Sequence, residues 1–127
     1  MKQSNLTDIY CIERLIKHRQ SMMNVYTHFN ITSVDALKCN DIAQLAISQA
    51  ITNVYELCKK IRIETINKMP LLKSINLKVS RNISSHDYDR LDFAVTYKQT
   101  KLLLNPEIYN ELEATIHGLK LSEGNNH

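Results

Sequence analysis

LTDIYCIERLIKHRQSMMNVYTHF, residues 6–29, decides the kind of fold to expect. Its apolar residues Leu6, Ile9, Ile12, Leu15, Ile16, Met22, Met23, Tyr26 and Phe29 recur mainly at steps of three and four. That period places side chains on one face of an α-helix, whereas a half-buried strand alternates at every second position. The spacing predicts one long amphipathic helix, with Asn5 or Thr7 as its cap.

The same period continues down the chain. Residues 30–40 break it, and Thr32 or Ser33 can cap a short turn through Val34 and Leu37. A second long helix is expected over about 41–61, with Ile42, Leu45, Ala46, Val54, Leu57, Cys58 and Ile61 as its stripe and Asp41 favouring its N-terminal dipole. Residues 62–69 read as a connection that can hold a helical turn. Pro70 suits the start of a third helix, carried by Leu71, Leu72, Ile75, Val79 and Ile83 toward His86. A fourth is expected over about 89–104, capped by Asp87 or Asp89, with Leu91, Val95, Leu102 and Leu103 as its apolar positions. Asn105-Pro106 opens a last one, to about Leu119. The expectation is an all-α, up-and-down four-helix bundle with an additional short helix, forming a single domain over 1–120, and a frayed tail over 121–127.

Composition agrees with that class. The 127 residues fit one domain, and Gly and Pro occur only twice each, too few for the turns of an all-β sandwich or barrel. Hydrophobic residues make up 43%, enough to build a core. Net charge is only +3, which alone does not mark a nucleic-acid binder. Its distribution is uneven: residues 59–81 hold Lys59, Lys60, Arg62, Lys68, Lys73, Lys78 and Arg81 against Glu64 alone, and residues 82–113 lean acidic. Cys11, Cys39 and Cys58 form no C-x-x-C or Cys/His pair at zinc-ligand spacing, and read as buried thiols in a reducing cytosol. No apolar run is long enough for a signal peptide or a bilayer span, so a cytoplasmic protein with no membrane partner is expected.

Chemistry gathers in RNISSHDYDR, residues 81–90, where Arg81, Asn82, Ser84, Ser85, His86, Asp87 and Tyr88 surround a lone apolar Ile83. An R-x4-H pair alone is weak. The fuller R-N-x3-H-x-Y arises by accident in about one in a thousand chains of this composition.

R-N-I-S-S-H-D-Y resembles the signature of HEPN domains, and in particular of the HepT-like toxins, whose pattern is R-x4-H-x-Y. ITNVYELCKKI, residues 51–61, is similar to the family's second helix, with Glu56 followed by Lys59 and Lys60, and DYDRLDFAV resembles the start of its next helix. The match spans roughly 5–119. It lacks the aromatic that many relatives carry before the motif. The resemblance implies a homodimeric helical bundle that cuts RNA without a metal or other cofactor. It also implies a cognate nucleotidyltransferase antitoxin, a partner type some of whose members transfer AMP to the motif tyrosine, here Tyr88.

The residue chemistry is compatible with that activity. RNA carries its own nucleophile in the 2′-hydroxyl, so cleavage needs proton carriers and positive charge for the phosphorane. His86 can carry protons near neutral pH. Arg81 can hold two phosphate oxygens through its planar fork. Asn82 reads as a positioning residue. Five residues on an ideal helix leave Arg81 and His86 about 140° apart, so either the helix ends near His86 or the groups meet across a two-fold axis. The second arrangement is the expectation. A competing reading is a non-catalytic helical dimer that binds nucleotide, RNA or a partner protein. Ser84 and Ser85 have no base to make them nucleophiles, Asp87 and Asp89 read as caps, and Glu56 as an ion-pair partner of Lys59, Lys60 or Arg81. His18, His28, His117 and His127 read as surface residues, and Met22-Met23 as core or dimer surface.

Overall fold

The computed structural model describes residues 4–75 and 92–124. Among these, all regular structure is helical: α1 Asn5–His28, α2 Val34–Lys38, α3 Asp41–Lys60, α4 Ile63–Ile66, α5 Pro70–Lys73, α6 Phe93–Leu103 and α7 Pro106–Gly124.

α1 runs as the period requires, and buries Ile9, Ile12, Leu15, Met22 and Tyr26 on one face. Its cap is Ser4, whose Oγ accepts from Thr7 N, one residue before the expected Asn5. The far end closes on Asn30, at φ 53° in the left-handed region that Asn tolerates better than most residues. Ile31 N donates to Tyr26 O at 2.8 Å and Asn30 N to Thr27 O at 3.2 Å. This is a Schellman closure, with Ile31 buried behind it. Ser33 caps α2, and Asn40 Oδ1 caps α3 by accepting from Ala43 N.

α3 lies beside α1 in the opposite direction, since residues just past the end of α3 bond to the start of α1. Its buried face corrects the expected stripe. Ile42 and Leu45 are exposed, and Ala43, Gln44, Ile47, Ser48, Ala50, Ile51 and Val54 are buried. Gln44 tolerates burial because its amide donates to Leu37 O and Lys38 O, both at 2.9 Å, and so closes the C-terminal end of α2. Cys39 is exposed, in contrast to the expectation that all three thiols are buried.

The connection after α3 contains α4. The helix opened by Pro70 ends at Lys73, short of the expected continuous run. Ser74 turns it off: Ser74 N donates back to Pro70 O, and its Oγ donates to Leu71 O at 2.7 Å. α6 begins at Phe93, not near 89. Its cap is Asp92, whose Oδ1 accepts from Val95 N. The proposed caps Asp87 and Asp89 lie outside the described residues. α7 continues to Gly124, past the expected end at Leu119.

One apolar cluster draws from every long helix, with Ile12, Leu15, Met22, Leu37, Ile51, Val54, Met69, Leu103 and Leu112 fully buried. Each such side chain contributes about 1.5–3 kcal/mol of transfer free energy. Two polar devices set how helices meet. Asp8 is fully buried; it accepts from Arg62 Nε at 2.7 Å, from Arg62 N at 3.2 Å and from Thr65 Oγ1 at 2.6 Å. Asn5 Oδ1 accepts from Arg62 Nη2. The second device is Arg19, whose guanidinium donates to Leu103 O at 3.0 Å, Leu104 O at 2.7 Å and Asn105 O at 3.2 Å. It neutralises the negative end of α6 while covering the ring of Tyr109.

No helix among the described residues is long and apolar enough to cross a membrane.

Candidate functional site

Arg81, Asn82, His86 and Tyr88 lie outside the described residues, so the structure neither gathers nor separates them. It does describe the elements that precede and follow them.

On the approaching side, Met69, Leu72 and Ile75 are buried. Pro70 occupies the first turn of α5, where a missing N–H costs nothing. The two amides that follow would otherwise be orphaned, and α7 supplies their acceptor. Glu111 Oε2 accepts from Leu71 N at 2.9 Å, and Oε1 accepts from Leu72 N at 3.0 Å. A carboxylate from a distant helix thus caps α5 through both oxygens. Lys73 Nζ donates to Asn67 Oδ1 at 2.7 Å.

On the departing side, α6 is tied to α1 at two heights. Tyr26 Oη and Thr100 Oγ1 share a buried hydrogen bond, and Arg19 holds the end of the helix. Burial pushes the Tyr26 phenol up to about 12, although its bond to Thr100 pulls the other way. Tyr97 packs edge-on against Tyr26 at 5.8 Å between ring centroids. The described elements before and after the R-N-x3-H-x-Y segment, α5 and α6, are therefore both fixed to the core.

The basic run in the sequence is partly spent on structure. Arg62 is taken by Asp8, which raises its pKa mainly through their hydrogen bond. Lys59 pairs with Glu56 at 3.2 Å and lies over the Tyr55 ring. The pairing of Glu56 with Lys59 agrees with the role expected for it. Burial pushes the Cys58 thiol up to about 12 and also raises that of Cys11.

A polar groove absent from the sequence reading lies along the α1–α3 seam. It encloses about 250 Å³ and is lined by Arg14, His18, Asn53, Glu56, Leu57 and Lys60. Arg14 and His18 stand at i and i+4, which puts them one turn apart on one helix face. α3 runs antiparallel, so Asn53, Glu56 and Lys60 come across to meet them. Burial, and next the neighbouring Arg14 charge, lower the His18 pKa. His18 is thus half-buried in a groove and not the plain surface residue expected. The signal available in sequence was the Arg14–His18 spacing; the residues facing it from α3 gave none.

A second cavity, of about 280 Å³, is lined by Lys68, Glu111, Ala114, Thr115, Gly118 and Leu119. Its carboxylate is the one committed to the α5 backbone.

No family model, no curated protein and no solved structure matches the chain.

Proposed function

We propose that this chain is a metal-independent endoribonuclease of the HepT-like, HEPN type, active as a homodimer. Arg81 binds and neutralises the reacting phosphate, His86 moves protons, and Asn82 positions them. The observation that carries this reading is R-N-x3-H-x-Y in a chain whose regular structure is all helical among the described residues, the motif falling in sequence between two helical regions that are each anchored to one core. Two-fold pairing of chains would supply two imidazoles to one phosphate, one to take the 2′-hydroxyl proton and one to protonate the leaving 5′-oxygen. RNA is the substrate, and a nucleotidyltransferase antitoxin the silencing partner. Transfer of AMP to Tyr88 would add bulk and negative charge where an RNA phosphate must sit.

The test is incubation of the purified protein with tRNA and total RNA in the presence of chelator, wild type beside His86→Ala. Cleavage by the wild type alone supports the reading. Intact RNA with both proteins overturns it and leaves a non-catalytic helical module. Mixing Arg81→Ala with His86→Ala chains tests the shared site, because a composite cleft makes the mixture behave differently from either parent. Silencing by the antitoxin should fail on Tyr88→Phe; a variant that is still silenced removes Tyr88 from this scheme.

A further inference from the structure

Charge in the α1–α3 groove is unbalanced in a specific way. Three cationic or potentially cationic groups line it, Arg14, Lys60 and His18, with one acid, Glu56. That acid is already bonded to Lys59 at 3.2 Å. Among the described residues, no hydrogen bond or ion pair engages the Arg14 guanidinium or the Lys60 ammonium. Asn53 Oδ1 accepts from Gln49 Nε2 at 3.1 Å, and no hydrogen bond among the described residues engages the Asn53 amide N–H donors. His18 sits where burial and next the Arg14 charge disfavour its proton, and even a neutral imidazole keeps one N–H to donate. Leu57 gives the groove an apolar wall, which strengthens polar contacts made against it. The surplus is of donors and positive charge, the complement of a phosphate oxygen set.

An aromatic group extends the pattern. Tyr10 lies one turn before Arg14 on α1 and is 62% exposed. Tyr10, Arg14 and His18 therefore form a column at successive i, i+4 positions along one side of the helix. Basic groups beside an exposed ring are the combination that tracks a single-stranded backbone and stacks a base. An acidic peptide would use the cations but has no need of the ring.

We propose that the α1–α3 groove is a binding site for single-stranded RNA: Arg14 and Lys60 contact phosphates, Asn53 and His18 donate hydrogen bonds, and Tyr10 stacks a base. The choice of RNA as the strand rests on the ribonuclease reading. The phosphodiester site itself rests on the groove. It lies apart in sequence from Arg81 and His86, and would hold a flank of the substrate strand.

The probe is a fluorescent 2′-O-methyl oligoribonucleotide, which has no free 2′-hydroxyl and cannot be cut. Its affinity is measured by anisotropy across a salt series. Arg14→Gln with Lys60→Gln should weaken binding about tenfold at low salt and flatten the log–log salt dependence by about 1.4, roughly 0.7 for each lost phosphate contact. The control pair Lys38→Gln with Lys120→Gln removes the same charge from exposed positions on α2 and α7 and should retain most of the affinity. Arg14→Lys should largely restore the slope, and Tyr10→Ala should weaken binding about tenfold without changing it. In the wild type, the His18 ring resonances should shift on saturation with the probe.

Equal effects of the groove pair and the control pair overturn the proposal, as do unmoved His18 resonances. It also fails if a polyglutamate peptide outcompetes the probe and shifts His18 instead, since the groove would then receive an acidic protein. Groove-dependent probe binding without cleavage of natural RNA would defeat the ribonuclease reading alone. His86-dependent cleavage with groove variants that bind and cut normally would defeat the groove alone.

Discussion

Arg14 and Arg19 lie five residues apart on α1, about 140° round the helix, and their surroundings differ completely. Arg19 is 5% exposed and gives hydrogen bonds to three carbonyls where α6 ends. Arg14 is half-buried on the rim of a groove, where no carbonyl or carboxylate among the described residues holds it. One guanidinium is consumed by the fold and the other is left over. Composition cannot distinguish them, and position on the helix can. The unused cation, not the buried one, is the pointer toward a ligand.

The strongest way to break this comparison is to remove each charge and measure stability. Arg19→Met should cost about 3 kcal/mol in urea denaturation, because three carbonyls lose a charged donor that is itself buried. Arg14→Gln should stay within about 0.5 kcal/mol, the range of surface substitutions away from special features. Equal losses would erase the distinction.

Arg62 supplies a third case. Asp8→Asn should cost about 2 kcal/mol, since it removes the buried carboxylate and leaves Arg62 and Thr65 with a neutral acceptor. A negligible loss would move Arg62 into the same class as Arg14.

Tyr26, one of the ties between α1 and α6, sharpens the picture through pH. Its folded pKa is raised from the ordinary 10 to about 12. The unfolded chain therefore ionises first. The stabilisation is fully present below pH 10 and is lost as pH climbs toward about 12. Denaturation midpoints should fall across that window, and the Tyr26→Phe variant should show a smaller fall over it. At neutral pH that variant should cost about 1 kcal/mol, for the lost bond to Thr100.

A loss of similar size is expected at the end of α1. Asn30→Ala should lose about 1 kcal/mol because alanine resists positive φ, and Asn30→Gly should be close to neutral. Thermal midpoints of the two variants check this.

Apolar period identified α1 and α3, because long helices repeat their signal many times, and Asn105-Pro106 marked the start of α7. It misjudged the orientation of α3. Both sides of its first turns carry apolar residues, Ile42 and Leu45 on one side and Ala43 and Ile47 on the other, and the buried side includes Gln44 and Ser48. Ala43, Ile47, Ala50, Ile51 and Val54 carry the buried side, and Gln44 joins them through its fit onto the end of α2, a contact that leaves no periodic trace. Likewise the Asp8–Arg62 pair, 54 residues apart, is invisible to local spacing. It also removes one cation from a run that looked uniformly available. The cap at Asp92 competed with two nearby aspartates in the sequence, Asp87 and Asp89, and only backbone geometry selects it. For the proposed catalytic residues, the motif itself is the whole of the legible signal. The α1–α3 groove was half legible, since one helix contributes a readable i, i+4 pair and the facing helix contributes residues whose register only packing fixes.

Asp8 also bears on how the chain is made. Arg62 and Thr65, which complete its surroundings, are translated more than fifty residues after it. Until then the first turns of α1 carry a charge destined for the interior with nothing to neutralise it. The first turns of α1 should therefore stay open to chaperones and proteases on the ribosome until the corner after α3 has emerged.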